Sequence, residues 1–252
     1  MHFEYFYFLL CLLITRLFYQ WNKNTNSLKI ESLICAIEIF LLLPLFSQSA
    51  AIILLICFMV VFHLLIFLFE KNNKTIYLKR FVEFAFFIFI GGFIFGILDE
   101  NLRFNPISIY IAKLIVNHHP ILAAFDINKF KIVLVLSCGL LITANEFNNL
   151  VRYILQTIDI RERKKGESDN IESQEIKKGK IIGIIERIMF FFFVITGNYT
   201  SIAFVLTAKG ITRYKALNDK NFAEYVLIGT LLSSSLAIVG AYLAKSMITI
   251  IR

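Results

Sequence analysis

Charged residues lie inside stretches that are otherwise apolar, and they are the residues of this sequence best suited to chemistry. The clearest case is Glu186 beside Arg187, within the run GKIIGIIERIMFFFFVITG at 179–197. A charge at the centre of a membrane helix costs about 2.5–3.5 kcal/mol on insertion scales, so a carboxylate two turns inside such a helix needs a partner. Glu38 and His63 form a second candidate pair, on two consecutive apolar runs.

The last apolar runs supply partners for Glu186 and Arg187. Lys209 and Arg213 are four residues apart and share one helix face, so either of them can neutralise Glu186. Arg187 points about 100° away from Glu186 on the helix, and we expect it to pair with Glu224. These pairs have two interpretations: they hold a helix bundle together, or they line a polar pathway.

Glu38 and His63 also have two interpretations, a packed neutral pair or a pair that shares a proton. His118 and His119 are adjacent and diverge by about 100° on a helix, which disfavours a metal site. The sequence contains no Walker, GxSxG or HExxH motif and no CxxC pair, so we expect no catalytic set, no metal and no cofactor.

The composition indicates which elements must position these residues. Of 252 residues, 58% are hydrophobic, and the mean hydropathy is +0.72, whereas soluble domains are about 45–50% apolar. We therefore predict an all-α, polytopic transmembrane helix bundle with about seven or eight spans. The predicted spans are roughly 3–20, 30–47, 50–69, 81–98, 130–147, 181–196, 199–213 and 222–244. The first is interpreted as a retained span and not as a cleaved signal peptide.

Three regions are predicted along the chain. Residues 1–158 hold the N-terminal membrane helices, with an interfacial or re-entrant segment near 105–120. Residues 159–180 are a polar cytoplasmic linker of mixed charge, and 181–252 form a C-terminal three-helix membrane unit. Glycines at four-residue spacing predict helix-contact faces, namely Gly92 with Gly96 and Gly179 with Gly183.

The net charge of +8 indicates orientation and not nucleic-acid binding, because the basic residues cluster in loops between apolar runs. Cytoplasmic loops of membrane proteins are enriched in Lys and Arg, so we place those loops in the cytoplasm and both termini outside. The expected partners are the lipid bilayer and either a second copy or another membrane protein, with no nucleic acid.

The last third of the chain resembles a known family in three motifs, GKIIGIIERIM, GNYTSIAFVLTAKGITRY and FAEYVLIGTLLSSS. These look like the C-terminal signature of prokaryotic multi-pass membrane proteins grouped as domain of unknown function 3307. The residues that carry the resemblance are Gly179, Gly183, Glu186, Arg187, Gly197, Ala208, Lys209, Arg213, Ala223, Glu224, Tyr225, Gly229 and Thr230. The resemblance implies a multi-pass protein of the prokaryotic cytoplasmic (inner) membrane and supplies no activity.

The N-terminal half matches that family less closely. Gln20 and His63 stand where the family has Gln and His, but Leu12 and Arg16 replace an expected His and Asp, and Phe67 replaces an Asp. From all of this we predict an integral membrane protein without catalytic motif, a membrane interaction or accessory module held by intramembrane ion pairs. The alternative is a small transporter or channel-like protein with a polar path along Glu38, His63, Glu186 and Arg187. An intramembrane enzyme acting on lipid is the third and weakest hypothesis.

Overall fold

The part of the chain that the structure describes is almost entirely helical and contains no β-strand. The structure is a computed structural model that describes residues 3–21, 28–45, 50–70, 76–98, 102–118, 127–157, 169–212 and 220–251. Within these ranges, four helices are long and apolar enough to cross a membrane: Ala51–Phe69, Ile76–Ile97, Lys129–Thr157 and Val226–Ile251. A shorter apolar helix covers Tyr199–Ile211.

The predicted total of seven or eight spans is therefore not confirmed. The second predicted span, 30–47, corresponds to a helix of only 14 residues, Leu28–Leu41. At 1.5 Å per residue this helix is about 21 Å long, short of the ~30 Å hydrocarbon core. Pro44 contributes to the early end, because proline has no amide hydrogen to donate to the carbonyl of Phe40. The chain continues as a single 3₁₀ turn, Leu43–Leu45.

The chain forms two compact units, and the first comprises Met1–Cys138 with Ile250–Arg252. Its helices are α1 (Phe3–Trp21), α2 (Leu28–Leu41), α3 (Ala50–Glu70), α4 (Ile76–Ile97), α5 (Pro106–His118) and the larger part of α6 (Ile127–Leu141). Aromatic rings form the core between α1, α3 and α4. Phe8 stacks on Phe87 at 5.1 Å between ring centroids, and Phe87 meets Phe62 edge-on at 4.7 Å.

The helix α5 coincides with the segment predicted to be interfacial. Asn105 caps its first turn by accepting a hydrogen bond from the Ile107 amide at 2.9 Å, and Pro106 occupies the first helical position. The helix has no buried residue, and with 13 residues it is too short to be counted among the candidate spans. The predicted break at Pro120 lies outside the described residues.

The second unit comprises Gly139–Thr249. It contains the end of α6, a π-helical turn at Ile142–Glu146, α7 (Phe147–Thr157), α8 (Asp169–Thr196), α9 (Tyr199–Thr212) and most of α10 (Lys220–Ile251). Gly197 ends α8 with φ at +76°, a conformation that glycine adopts without steric cost. The Asn198 amide donates to the Phe193 carbonyl at 2.8 Å and the Gly197 amide donates to the Val194 carbonyl at 3.1 Å, which is a Schellman motif.

Two features differ from the predicted regions. The helix α8 begins at Asp169, so the second half of the predicted 159–180 linker is helical; its Glu, Gln and Lys residues are good helix formers. The unit that contains the three C-terminal helices also includes α7 and the π-helical turn, which were expected to belong with the N-terminal helices. Residues 158–168 lie outside the described ranges.

Candidate functional sites

A histidine between two carboxylates forms the polar centre of the first unit. The Nε2 atom of His63 lies 2.8 Å from Glu38 Oε2, and its Nδ1 atom lies 3.2 Å from Glu31 Oε2. Glu38 is 1% exposed, and Glu31 and His63 are also buried. The Thr15 hydroxyl donates to the other oxygen of Glu38, Oε1. We call Glu31, Glu38 and His63 the acid–histidine cluster.

The positions of these residues follow from helix geometry. Glu31 and Glu38 are seven residues apart on α2, which is nearly two turns, so both project from one face. His63 reaches this face from α3, and Thr15 reaches it from α1. The structure brings Glu38 and His63 together, as the sequence suggested, and adds Glu31, which the sequence analysis missed. The seven-residue spacing from Glu38 was the signal that could have revealed it.

The geometry of the acid–histidine cluster fixes how many protons it holds. Each of the two nitrogen–oxygen contacts needs one hydrogen, because two lone pairs at these distances would repel each other. An imidazolium with two carboxylates meets this condition, and so does a neutral imidazole with one protonated glutamate. The three side chains carry a net charge of −1 in both arrangements. The cluster can therefore move a proton between its members without a change in total charge.

A cleft of about 280 Å³ opens beside this cluster, between α2 and α3. Glu31 and His63 contribute its polar part. The rest of the lining is small or apolar: Ser32, Cys35, Ala36, Ile39, Val60, Leu64 and Phe67. Ser32, Ala36, Val60 and Leu64 are exposed, so the cleft opens on the outer face of the α2–α3 pair. A buried charged group thus lies at the edge of an apolar groove.

The second unit contains the Glu186 ion pair. Lys209 Nζ lies 2.6 Å from Glu186 Oε2, and Glu186 is 8% exposed. This contact ties α8 to α9 across their short connection. Of the two partners expected for Glu186, the structure brings Lys209 to it, while Arg213 lies outside the described residues.

Arg187 does not pair with Glu224, which corrects the second expected ion pair. Its guanidinium donates to Ser233 Oγ at 3.1 Å, Asn148 Oδ1 at 3.2 Å and the Ala144 carbonyl at 3.3 Å. Glu224 is exposed near the start of α10. Ser233 is nine residues further along that helix, about 13.5 Å along its axis, so Arg187 lies too deep to reach Glu224.

The π-helical turn explains where the Arg187 side chain goes. A π-helical turn shifts hydrogen bonding from i→i+4 to i→i+5, and the Phe147 amide accordingly donates to the Ile142 carbonyl. The turn presents the Ala144 carbonyl to Arg187. Among the described residues, Arg187 Nε has no hydrogen-bond partner, although the side chain is only 2% exposed. Neutral oxygen atoms therefore account for all the acceptors described for this cation.

A buried acidic residue lies in the same turn. Glu146 is 0% exposed and accepts hydrogen bonds from Asn145 Nδ2 at 2.8 Å and from Asn149 Nδ2 at 3.5 Å. Asn145, Asn148 and Asn149 are buried too, so this polar group lies in the interior of the second unit. The run NEFNN places four polar residues at helical spacing directly after an apolar run. This pattern was the signal that could have revealed a polar core.

The predicted glycine contacts occur only in part. A Cβ added at Gly96 or Gly179 would meet no atom within 4 Å, and one added at Gly183 would meet only the guanidinium of Arg187. At Gly92 the added atom would lie 3.7 Å from the Tyr5 hydroxyl of α1. One close contact that the sequence analysis missed is at Gly240, where a Cβ would lie 2.7 Å from Thr143 Oγ1 and 2.8 Å from the Phe147 ring.

Gly240 belongs to a row of small residues on α10. Its neighbours Ala237, Ala241 and Ala244 are all buried. Small residues three and four positions apart let helices approach closely, and this row was readable from the sequence SSSLAIVGAYLA. A methyl group at position 240 would require the Thr143 hydroxyl and the Phe147 ring to move.

Comparison with protein families, curated proteins and solved structures finds no match to this chain. The resemblance to domain of unknown function 3307 stays a prediction, and the sites must be interpreted from their own geometry.

Proposed function

We propose that this chain is an integral membrane protein that serves as an interaction or accessory module. One observation carries the proposal: the two carboxylates that were candidates for a pathway, Glu38 and Glu186, are both buried and both engaged with partners from their own unit. A carboxylate that carries a substrate needs access to it, whereas a carboxylate that joins helices needs burial and a partner.

The helix α4 supplies the surface that such a module would use. Exposed apolar residues follow one another at steps of four, three, four and four residues: Val82, Phe86, Phe89, Phe93 and Ile97. This spacing makes one continuous stripe along the helix. Gly96 lies beside the stripe with open space around it, so a contact role for Gly96 requires a second chain. The expected occupant is a helix of a second copy or of another membrane protein.

Reconstitution into liposomes tests the module against a transporter. We expect wild-type vesicles to show no proton flux above protein-free vesicles under an imposed membrane potential, as reported by an internal pH dye. Glu186→Gln should lower thermal stability without any effect on flux. Flux in the wild type that Glu38→Gln abolishes in a folded protein would contradict the proposal.

Association of copies can be measured in the same vesicles. Donor- and acceptor-labelled protein should show energy transfer that falls upon dilution with lipid, and Phe89→Ala with Phe93→Ala should weaken it. The matched control is Phe204→Ala, which removes an equally exposed ring from α9. Energy transfer that is equal in all three proteins would remove the α4 stripe as the contact surface.

A second candidate function is proton exchange at the acid–histidine cluster, and the specific observation that favours it is His63 between two carboxylates beside an open cleft. Among the described residues, Thr15 and Cys11 from α1 and Cys35 from α2 also lie near this cluster. The flux assay above measures this function directly, since Glu38→Gln removes one carboxylate of the cluster.

A further inference from the structure

We propose that α5 lies in the plane of a lipid–water boundary and binds the bilayer through one apolar side, formed by Ile107, Ile111, Leu114 and Ile115. From the sequence, an interfacial and a re-entrant position were both open for this segment. The inference rests on the proposed function in one respect, that the chain is an integral membrane protein. It needs neither the α4 stripe nor proton exchange.

The helix α5 receives little cover from its own unit. None of its 13 residues is buried, and all except Ser108 and Val116 are exposed. Along the apolar side, the exposed fractions run from 46% at Leu114 to 66% at Ile107. A helix of this length is only marginally stable in water by itself. The apolar side therefore needs a cover that the described residues do not supply.

Helix geometry divides α5 into three sides that lie about 120° apart. Ser108 and Val116 mark the side toward the rest of the unit, because they are the two partly covered residues of the helix. The four apolar residues form the second side, and Lys113 with Asn117 form the third. Tyr110 lies between the apolar side and the polar side. Each side thus has a different surrounding to meet.

This arrangement suits a helix that lies in a membrane surface. Such helices bury an apolar side about 5–10 Å into the boundary between headgroups and acyl chains and hold a polar, basic side toward water. Lys113 then lies at the level of the lipid phosphates, and tyrosine is enriched at this boundary. His118 falls on the apolar side by angle, but it is the last residue of α5, and its Nδ1 atom lies 2.8 Å from the Leu114 carbonyl of the same helix.

The attachment of α5 places its first turn where two candidate spans end. The Asn105 amide and the Ser108 hydroxyl both donate to the Pro44 carbonyl, at 2.8 Å and 3.0 Å. The span Ala51–Phe69 begins seven residues after Pro44, and the span Ile76–Ile97 ends nine residues before α5 begins. Because spans end at the surfaces of the hydrocarbon core, α5 begins at the level of the headgroups.

The bilayer is therefore the occupant of the apolar side. At this level the headgroup boundary already surrounds the unit, so the side is covered without a second protein. A re-entrant position would carry Lys113 and Asn117 into hydrocarbon. Both are exposed and have no partner among the described residues, so their polar groups would be left unsatisfied there.

Spin labels on single introduced cysteines measure the depth of α5 in liposomes. Collisions with oxygen report acyl chains, and collisions with a water-soluble nickel chelate report water. Labels at Ile111→Cys and Ile115→Cys should lie about 5–10 Å below the headgroup boundary. Labels at Lys113→Cys and Asn117→Cys should contact the nickel chelate. The exposed native Cys57 is replaced by serine in every protein.

Three results of this scan would overturn the proposal. An equal depth below the boundary at all four positions would make α5 re-entrant, and nickel contact at all four would place it in water. Protection of positions 111 and 115 from both reagents would assign the apolar side to a protein surface, such as a second copy. A label at Val61→Cys, exposed within the α3 span, tests insertion separately: water contact there would contradict the proposed function itself.

A matched pair of variants tests whether the apolar side holds the helix in the bilayer. Ile111→Asp and Asn117→Asp each add one negative charge at an exposed position of α5. With the label at Leu114→Cys, Ile111→Asp should lose most of the measured depth, and Asn117→Asp should keep it. An unchanged depth in Ile111→Asp, or an equal loss in both variants, would overturn the apolar side as the bilayer contact. The label scan decides the proposal by itself if Ile111→Asp does not fold.

Discussion

The two units bury ionisable side chains in opposite ways. In the N-terminal unit, His63 is shared between two carboxylates beside a cleft, and protons can move within the cluster. In the C-terminal unit, the Glu186 carboxylate pairs with the Lys209 ammonium, and Arg187 donates to neutral oxygen atoms, one of them in a π-helical turn. Guanidinium and ammonium groups keep their protons far more firmly than imidazole does. The comparison indicates an adjustable site in the first unit and a fixed joint in the second.

The largest effect should come from breaking the fixed joint. Lys209→Met leaves Glu186 buried without its cation, and removal of one partner of a buried ion pair costs about 3–5 kcal/mol. We expect unfolding in mixed micelles to show a loss of this size. The double variant Glu186→Gln with Lys209→Met should recover most of it, because the buried carboxylate is removed together with its cation.

The outcome of that double variant separates a joint from a binding site. If Lys209→Met and the double variant are equally unstable, the pair acts by something other than mutual neutralisation, and the contrast between the two units is lost.

A smaller effect should follow from loss of the hydroxyl that anchors Glu38. Thr15→Val removes a buried donor to a carboxylate while keeping the shape of the side chain. Hydrogen bonds to charged groups contribute about 1.5–3 kcal/mol. The matched control is Thr207→Val, since the exposed Thr207 hydroxyl donates only to a carbonyl of its own helix. The same unfolding assay should rank Thr15→Val well below Thr207→Val in stability, and equal stabilities would show that Glu38 does not need this donor.

The smallest of the three effects concerns packing around the π-helical turn. Gly240→Ala forces a methyl group against Thr143 and Phe147, and overpacking of this kind costs about 1–3 kcal/mol. Gly210→Ala is the control, because a methyl group at Gly210 would meet no atom within 4 Å and alanine is the better helix former. Thermal unfolding should show a lower midpoint for Gly240→Ala and an unchanged or higher one for Gly210→Ala. A tolerated methyl group at 240 would mean that the Thr143 and Phe147 side chains can move aside, and the packing around the turn would not be rigid.

Helix periodicity and the pairing of opposite charges correctly predicted the helices and two of the side-chain contacts. The apolar runs predicted helices. Glu38 contacts His63 because α2 and α3 are consecutive helices that pack against each other. Lys209 met Glu186 because a two-residue connection makes α8 and α9 neighbours. The predicted pair of Arg187 with Glu224 was wrong because the two residues lie at different depths along α10. Glu224 lies about 13.5 Å along this helix from Ser233, which Arg187 contacts.

The sequence by itself determined that this chain is helical and apolar, because residue type and period act locally along the chain. It also limited the partners of Glu38 and Glu186 to a few side chains. Only the tertiary structure decided that Glu31 joins His63, that a π-helical turn receives Arg187, and that Gly240 touches Thr143. Each of these depends on the rotation and depth of one helix against another, and such offsets are set by the packing of many side chains together.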